Sequence, residues 1–382
     1  MDPNKPKAPE MPWLPDEYPR PLEKISPSPA ATAKSRFFRD LPPEVRRRIL
    51  VESFGERKLH LDLRLASPIK KEQSHWVKSI LAWGAHADLH VFEPYVRDST
   101  LPQKWYWSSS ICHSSRRDRS HLYMDPPGVG SYYLAPAEDR CLSGKPRAGC
   151  CSQYPGTMPN KCFIGVQGWL LACRQAYIEG ISVLYGTNRF HLAYSELATC
   201  LPRLLPSKHL TTIREAVIKW DIVWPTYHFC WEHKDRQGYD GLKLLPSLPK
   251  SLPRLRFLYL DLWDVLDKDQ KKLEIGGKER YEAIEKVLQV VDAMVVQLPD
   301  LEECRVALPL SAYSSRKLVE KGKDFDWKFS GRDGPEALWR DISAAALSPS
   351  LEDSNRKLTG YWIVMGKKDM RPPPSSKPQP IQ

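Results

Sequence analysis

The chain has 382 residues, a formal net charge of +11 and 41% hydrophobic content, which is ordinary for a folded globular protein with room for more than one domain's worth of core. Basic residues are scattered among 46 acids, so the charge reads as a mixed solvated surface and argues against a nucleic-acid stripe. No apolar run approaches the ~20 residues of a membrane span, the first residues lack a signal peptide's charged and apolar regions, and nine cysteines, an odd number, suit a reducing compartment. The expected location is therefore intracellular, cytoplasmic or nuclear.

In chain order, residues 1–35 are proline-rich without a sustained period and read as a disordered leader. RFFRDLPPEVRRRILVESFG follows, with prolines at the first helical positions and Glu44 in the first turn, where the helix dipole favours an acid. It predicts a helix over 42–54 whose apolar arc is Val45, Ile49, Leu50 and Phe54, with Arg46 inside the arc. KLHLDLRL alternates as a half-buried strand does, and a short helix fits residues 75–83. Residues 108–160, rich in serine, glycine, proline and arginine, have no period and read as an insertion.

Residues 168–185 read as one amphipathic helix, stopped by the glycine of YGTNRF, before a strand at TNRFHL. At 100° per residue from Trp169, Arg174 falls at about 140°, within the arc of Cys173, Tyr177, Ile181 and Tyr185. A guanidinium is not left unpaired in a core, so both inward arginines need partners. Arg174 and Glu179 stand about 140° apart on the helix and cannot pair side by side. The reading therefore packs helix 42–54 on helix 168–185, with Arg46 or Arg174 bonded across the contact and Glu44 and Glu179 available as acids.

The second half repeats a loose theme in which a Leu-Pro precedes a short strand: LPSKHLTTIREAVIKW, LPKSLPRLRFLYLDLW and LPDLEECRVALP. The strand centres near Val217, Leu258 and Val306 are too far apart for true leucine-rich repeats. Tyr281, Ile284, Leu288, Val291 and Val295 keep helical timing between the later two, and YWIVMG is a last strand. Residues 367–382 read as a disordered tail. Strands alternating with helices imply a mostly parallel sheet covered by helices.

FRDLPPEVRRRIL resembles the first helix of an F-box, and LLACRQAY resembles its second half, displaced by over a hundred residues. The layout, with DRCLSGKPRAGCCSQYP ahead of IGVQGWLLACRQ and CRQAYIEGISVLYGTNRF after it, is similar to a family of uncharacterised filamentous-fungal proteins described as F-box-like or as a domain of unknown function. The expected fold is α+β. F-box-like helices, split by a long insertion at 108–160, fill residues 36–200 and pack with an irregular leucine-rich-repeat-like β/α sheet at 201–366. The resemblance implies a non-enzymatic protein-interaction role, and alternatively the substrate-recognition subunit of an SCF-type ubiquitin ligase docking on the SCF adaptor subunit. The partner-binding or structural residues are Leu41, Pro42, Glu44, Arg46, Ile49, Leu50, Arg174 and Glu179. No catalytic, cofactor or metal residues are assigned. Cys141, Cys150, Cys151 and Cys162, with His113 and His121, lack a CxxC pair, and Cys173 reads as a core residue on a helix face. The aromatic stretch WPTYHFCWEH reads as a loop packed over the sheet, and no nucleophile elbow or phosphate loop is present.

Overall fold

The computed structural model describes residues 10–15, 32, 34–71, 95–98, 100–112, 164–192, 194–222, 240–263, 265, 277–321, 337–342 and 360–366. The expected helix at 75–83, the aromatic stretch at 224–233, His113, His121, Cys141, Cys150, Cys151 and Cys162 lie outside them, as does the tail from 367.

The strands are β1 (Lys58–Ala66), β2 (Ile69–Lys71), β3 (Tyr95–Arg97), β4 (Lys104–Ile111), β5 (Arg189–Leu192), β6 (Glu215–Asp221), β7 (Phe257–Trp263), β8 (Glu303–Leu308), β9 (Leu338–Asp341) and β10 (Gly360–Met365). Eight of them form one sheet in the order β4-β1-β5-β6-β7-β8-β10-β9, and β2 pairs with β3. From β1 to β10 the neighbours are parallel; only the edge strands β4 and β9 run antiparallel. The α+β class is thus realised as a mixed sheet. The boundary expected between residues 200 and 201 falls inside a helix at 195–204, and the β5–β6 ladder joins the two sides of it.

The helices are α1 (Arg36–Asp40), α2 (Pro43–Phe54), α3 (Gln167–Ala172), α4 (Arg174–Gly186), α5 (Ser195–Leu204), α6 (Ser207–Leu210), α7 (Gly241–Leu244), α8 (Leu248–Ser251), α9 (Lys278–Val296) and α10 (Leu310–Lys321). Leu61, Leu192, Ile218, Leu260, Val306, Ile363 and Leu338 stand in register across seven strands, and all belong to or pack against the main core. Helices supply Leu197 and Leu201 from α5 and Ile284, Leu288, Val291 and Val295 from α9 to the same core. A parallel sheet needs such cover, because its strands carry apolar side chains in near-continuous runs. The opposite face carries the row His60, His191, Val217, Tyr259, Arg305, Trp362 and Trp339.

A buried charge network ties the last strands to α9. Arg340 donates to Asp292 from Nε at 2.9 Å and Nη2 at 2.6 Å, and to Glu285 from Nη2 at 2.7 Å. The Tyr361 hydroxyl donates to Asp292 at 2.8 Å, and Arg316 donates to Glu285. Burial disfavours the charged form of Arg340, but the bonds to Asp292 and Glu285 outweigh it and hold the guanidinium protonated.

Three expectations need correction. The leader is not structureless throughout: Met11 is buried in the main core, Leu14 N–H donates to the Arg203 carbonyl at 2.8 Å, and the Arg203 guanidinium lies 3.8 Å from the Trp13 ring centre. The run MPWLP carries three large apolar groups that the proline-rich composition around it conceals. The insertion does not begin at Ser108, because residues 108–111 complete β4 and pair with β1. The single helix over 168–185 is two helices, broken at Cys173, whose backbone is extended at φ −165°, ψ 168°.

Candidate functional site

Helix α2 begins after Pro42, an arrangement proline's fixed φ favours, and it buries Arg46, Leu50 and Phe54. These lie four residues apart and so form one stripe. Because Arg46 takes an inward position, Val45 and Ile49 rotate to the flank and are 43% and 40% exposed. This corrects the expected arc: only Leu50 and Phe54 of its four apolar residues are core. Pro42 and Glu44 are exposed as well, and Leu41 is half-buried.

The stripe faces α4. Leu50 and Phe54 pack with Val166 and Val183, flanked by Trp169, Leu170 and Leu184. Gly180 makes the close approach of α3 to α4 possible, since a Cβ there would meet Trp169 Cδ1 at 2.7 Å and Leu170 Cδ2 at 2.8 Å. Trp169 in turn receives α1, with its ring 4.9 Å from Phe37 and 5.8 Å from Phe38.

Arg46 and Glu179 meet at the centre of this contact. Nη2 donates to Glu179 Oε1 at 2.7 Å, and Nε reaches the two carboxylate oxygens at 3.1 and 3.0 Å. Nη1 donates to the Leu41 carbonyl at 2.7 Å and to that of Phe38 at 3.3 Å, so one guanidinium ties α1 and α4 to α2. Gln175 Nε2 adds a bond to Glu179 Oε1 at 2.6 Å. The side chains are only 10% and 18% exposed, and the Glu179 bond raises the Arg46 pKa above its ordinary value. A fork-to-carboxylate pair in a water-poor contact is both directional and strong.

Of the residues expected to act together, the structure joins Arg46, Glu179, Leu41 and Leu50. Arg174 is half-buried at the first position of α4, so the break at Cys173 removes it from mid-helix. Cys173 is the N-cap of α4: its Sγ accepts the Ala176 N–H at 3.4 Å, which corrects its reading as a core residue. Glu44 sits outside the clamp, on the exposed first turn of α2.

Asn188 was not singled out, yet it is the second tie between the two halves of this layer. It is buried; its amide donates to the Phe54 and Leu184 carbonyls, both at 2.9 Å, and its Oδ1 accepts the Arg57 N–H at 2.8 Å. An asparagine just past a helix-terminating glycine was the available signal.

Among the described residues, no three His, Cys, Asp or Glu side chains gather as a metal cage, and no helix is long and apolar enough to cross a membrane. On the same layer the Tyr177 hydroxyl of α4 lies 3.3 Å from His209 Nε2, and the outer flank of α2 leaves Val45 and Ile49 exposed.

Neither the curated proteins nor the solved structures contain a match to the chain. A family model described as a domain of unknown function, DUF7730, matches residues 135–317. The match covers α3 to α9, including Arg174, Glu179 and Asn188, and leaves α2 and β1 outside. Over those residues the chain is similar to that uncharacterised domain family.

Proposed function

We propose that the chain is a non-enzymatic protein-interaction module, with Pro42, Val45 and Ile49 on the outer flank of α2 as its docking surface. The observation that carries this reading is the division of α2. Arg46, Leu50 and Phe54 are held against α4, and the aliphatics Val45 and Ile49 beside them stay open to solvent. Exposed aliphatics next to a rigid polar clamp suit a partner's apolar groove, because little ordering entropy opposes their burial.

The SCF adaptor subunit is the second reading. It is favoured by the F-box-like FRDLPPEVRRRIL motif together with the exposure of Pro42 and Ile49, the groups such a helix presents. Against it stand the burial of Leu50 and the Arg46–Glu179 pair, which make half the motif part of this chain's own core.

The test is to mix the purified chain with the adaptor at micromolar concentration and to measure binding for wild type and for V45E/I49E. A 1:1 complex abolished by the double change at unaltered melting temperature establishes the adaptor reading. No complex, with a folded protein, removes it. If V45E/I49E itself lowers stability as a core substitution would, the exposed flank is not a docking surface and the module reading falls.

A further inference from the structure

Residues 10–15, EMPWLP, are held on the fold in the manner of a bound peptide. The segment belongs to no helix or strand. Among the described residues, a single backbone hydrogen bond joins it to the rest of the chain, from Leu14 N–H to the Arg203 carbonyl at 2.8 Å. One side chain, Met11, is buried in the main core. Trp13 is half-buried against that core, and the Arg203 guanidinium stands 3.8 Å from its ring centre. Glu10, Pro12 and Pro15 are exposed.

Both sides of this contact are preorganised. Arg203 lies in the last turn of α5, where carbonyls have no partner within the helix, so its C=O is an acceptor for an extended chain laid beside it. Its guanidinium offers a flat cation to an aromatic ring. On the peptide side, a residue before proline is pushed into extended backbone, which applies to Met11 before Pro12 and to Leu14 before Pro15. The two prolines fix their own φ. Little backbone entropy is lost when such a segment docks, and methionine adapts its shape to the space it fills.

We propose that this seat at the C-terminal end of α5 is a docking site for linear peptides, occupied in the free chain by its own residues 10–15 as an internal ligand. The partner it fits is an extended, proline-bracketed protein segment with methionine or another long aliphatic side chain two residues ahead of tryptophan. Such a segment buries the first side chain, stacks the second on Arg203 and donates the next N–H to the Arg203 carbonyl, as Met11, Trp13 and Leu14 do. A covalently attached segment competes at an effective concentration on the order of mM, so a partner engages only where its own local concentration or affinity exceeds that. The site is independent of the α2 flank, and the failure of either leaves the other standing.

The experiment measures, by fluorescence anisotropy, the binding of labelled PEMPWLPD, the sequence of residues 9–16, to the full chain and to full-length M11S/W13S, together with the melting temperature of each. M11S/W13S should bind the peptide about tenfold more tightly than wild type, since its own segment no longer competes. The peptide PESPSLPD should not bind, and Arg203→Ala added to M11S/W13S should weaken binding several-fold. Saturating PEMPWLPD should recover whatever melting temperature the double change loses. Equal affinity for the two chains overturns the proposal, as does no binding to folded M11S/W13S. A double variant that fails to fold and is not rescued by the peptide also overturns it, and makes the segment a fixed part of the core. A dimeric wild type beside a monomeric M11S/W13S places the segment on a second copy and overturns the internal-ligand assignment.

Discussion

Glu179→Ala removes the carboxylate from Arg46 and leaves the guanidinium hydrogen-bonded to the Leu41 and Phe38 carbonyls. Three contacts of 2.7, 3.0 and 3.1 Å disappear, and a charge that is 10% exposed loses its counter-ion. Removing one member of a fully buried pair costs about 3–5 kcal/mol, and partial solvent access to the vacated space reduces the expectation here to about 2–3 kcal/mol. Arg46→Ala should cost a similar amount, since it also abandons the two carbonyls. The double change should cost little more than either single one, giving a coupling of about 2 kcal/mol between residues that share one interaction. Replacing both with apolar groups of similar volume, Arg46→Met with Glu179→Leu, should be close to neutral, because neither charge then needs desolvation. The assay is urea unfolding of each variant, with the midpoint converted at constant slope. Single-change losses below about 0.5 kcal/mol with no coupling would refute the clamp, since that is the size expected of an exposed pair.

Asp292→Ala strips Arg340 and Tyr361 of their shared acceptor and should destabilise by about 3–5 kcal/mol in the same assay, whereas Tyr361→Phe should lose about 1 kcal/mol. Burial opposes ionisation of Glu285, but its bonds and charges with Arg340 and Arg316 prevail and hold its carboxyl below the ordinary value of 4.5. A depressed folded pKa means stability fully present above the unfolded pKa and lost as pH falls through the folded one; stability should decline on acidification below about 4.5, and less steeply in Glu285→Gln. Gly180→Ala should destabilise although alanine is the better helix former by about 1 kcal/mol, because its Cβ overlaps Trp169 and Leu170; a gain in melting temperature would contradict the close packing of α3 on α4.

The strands were legible where their pattern is local. KLHLDLRL alternates over eight residues, and each Leu-Pro theme sets a β-branched or aromatic run after a helix break, so β1, β6, β7 and β8 carry their own signals. β9 does not: four residues, LWRD, have too short a period to read, and Arg340 finds partners 48 and 55 positions away. The charged interior was legible only as a demand. Arg46 inside an apolar arc required a partner, and Glu179 meets it from 133 residues away. What the wheel could not give was the phase of α2, because it treats arginine as out of place and centres the stripe on the aliphatics. Paired, Arg46 becomes the inward residue, and Val45 and Ile49 move out. The break at Cys173 escaped for a related reason, since helical timing continues through ACRQ and only the Sγ bond to Ala176 N–H reveals a cap.

The exposed flank of α2 is tested most directly by placing a photoreactive amino acid at position 49, and in a separate variant at position 50, in the cells that make the protein. The account predicts that position 49 cross-links to a second protein, while position 50, facing Val166 and Val183, yields only links within the chain. Cross-links confined to this chain from both positions would contradict it.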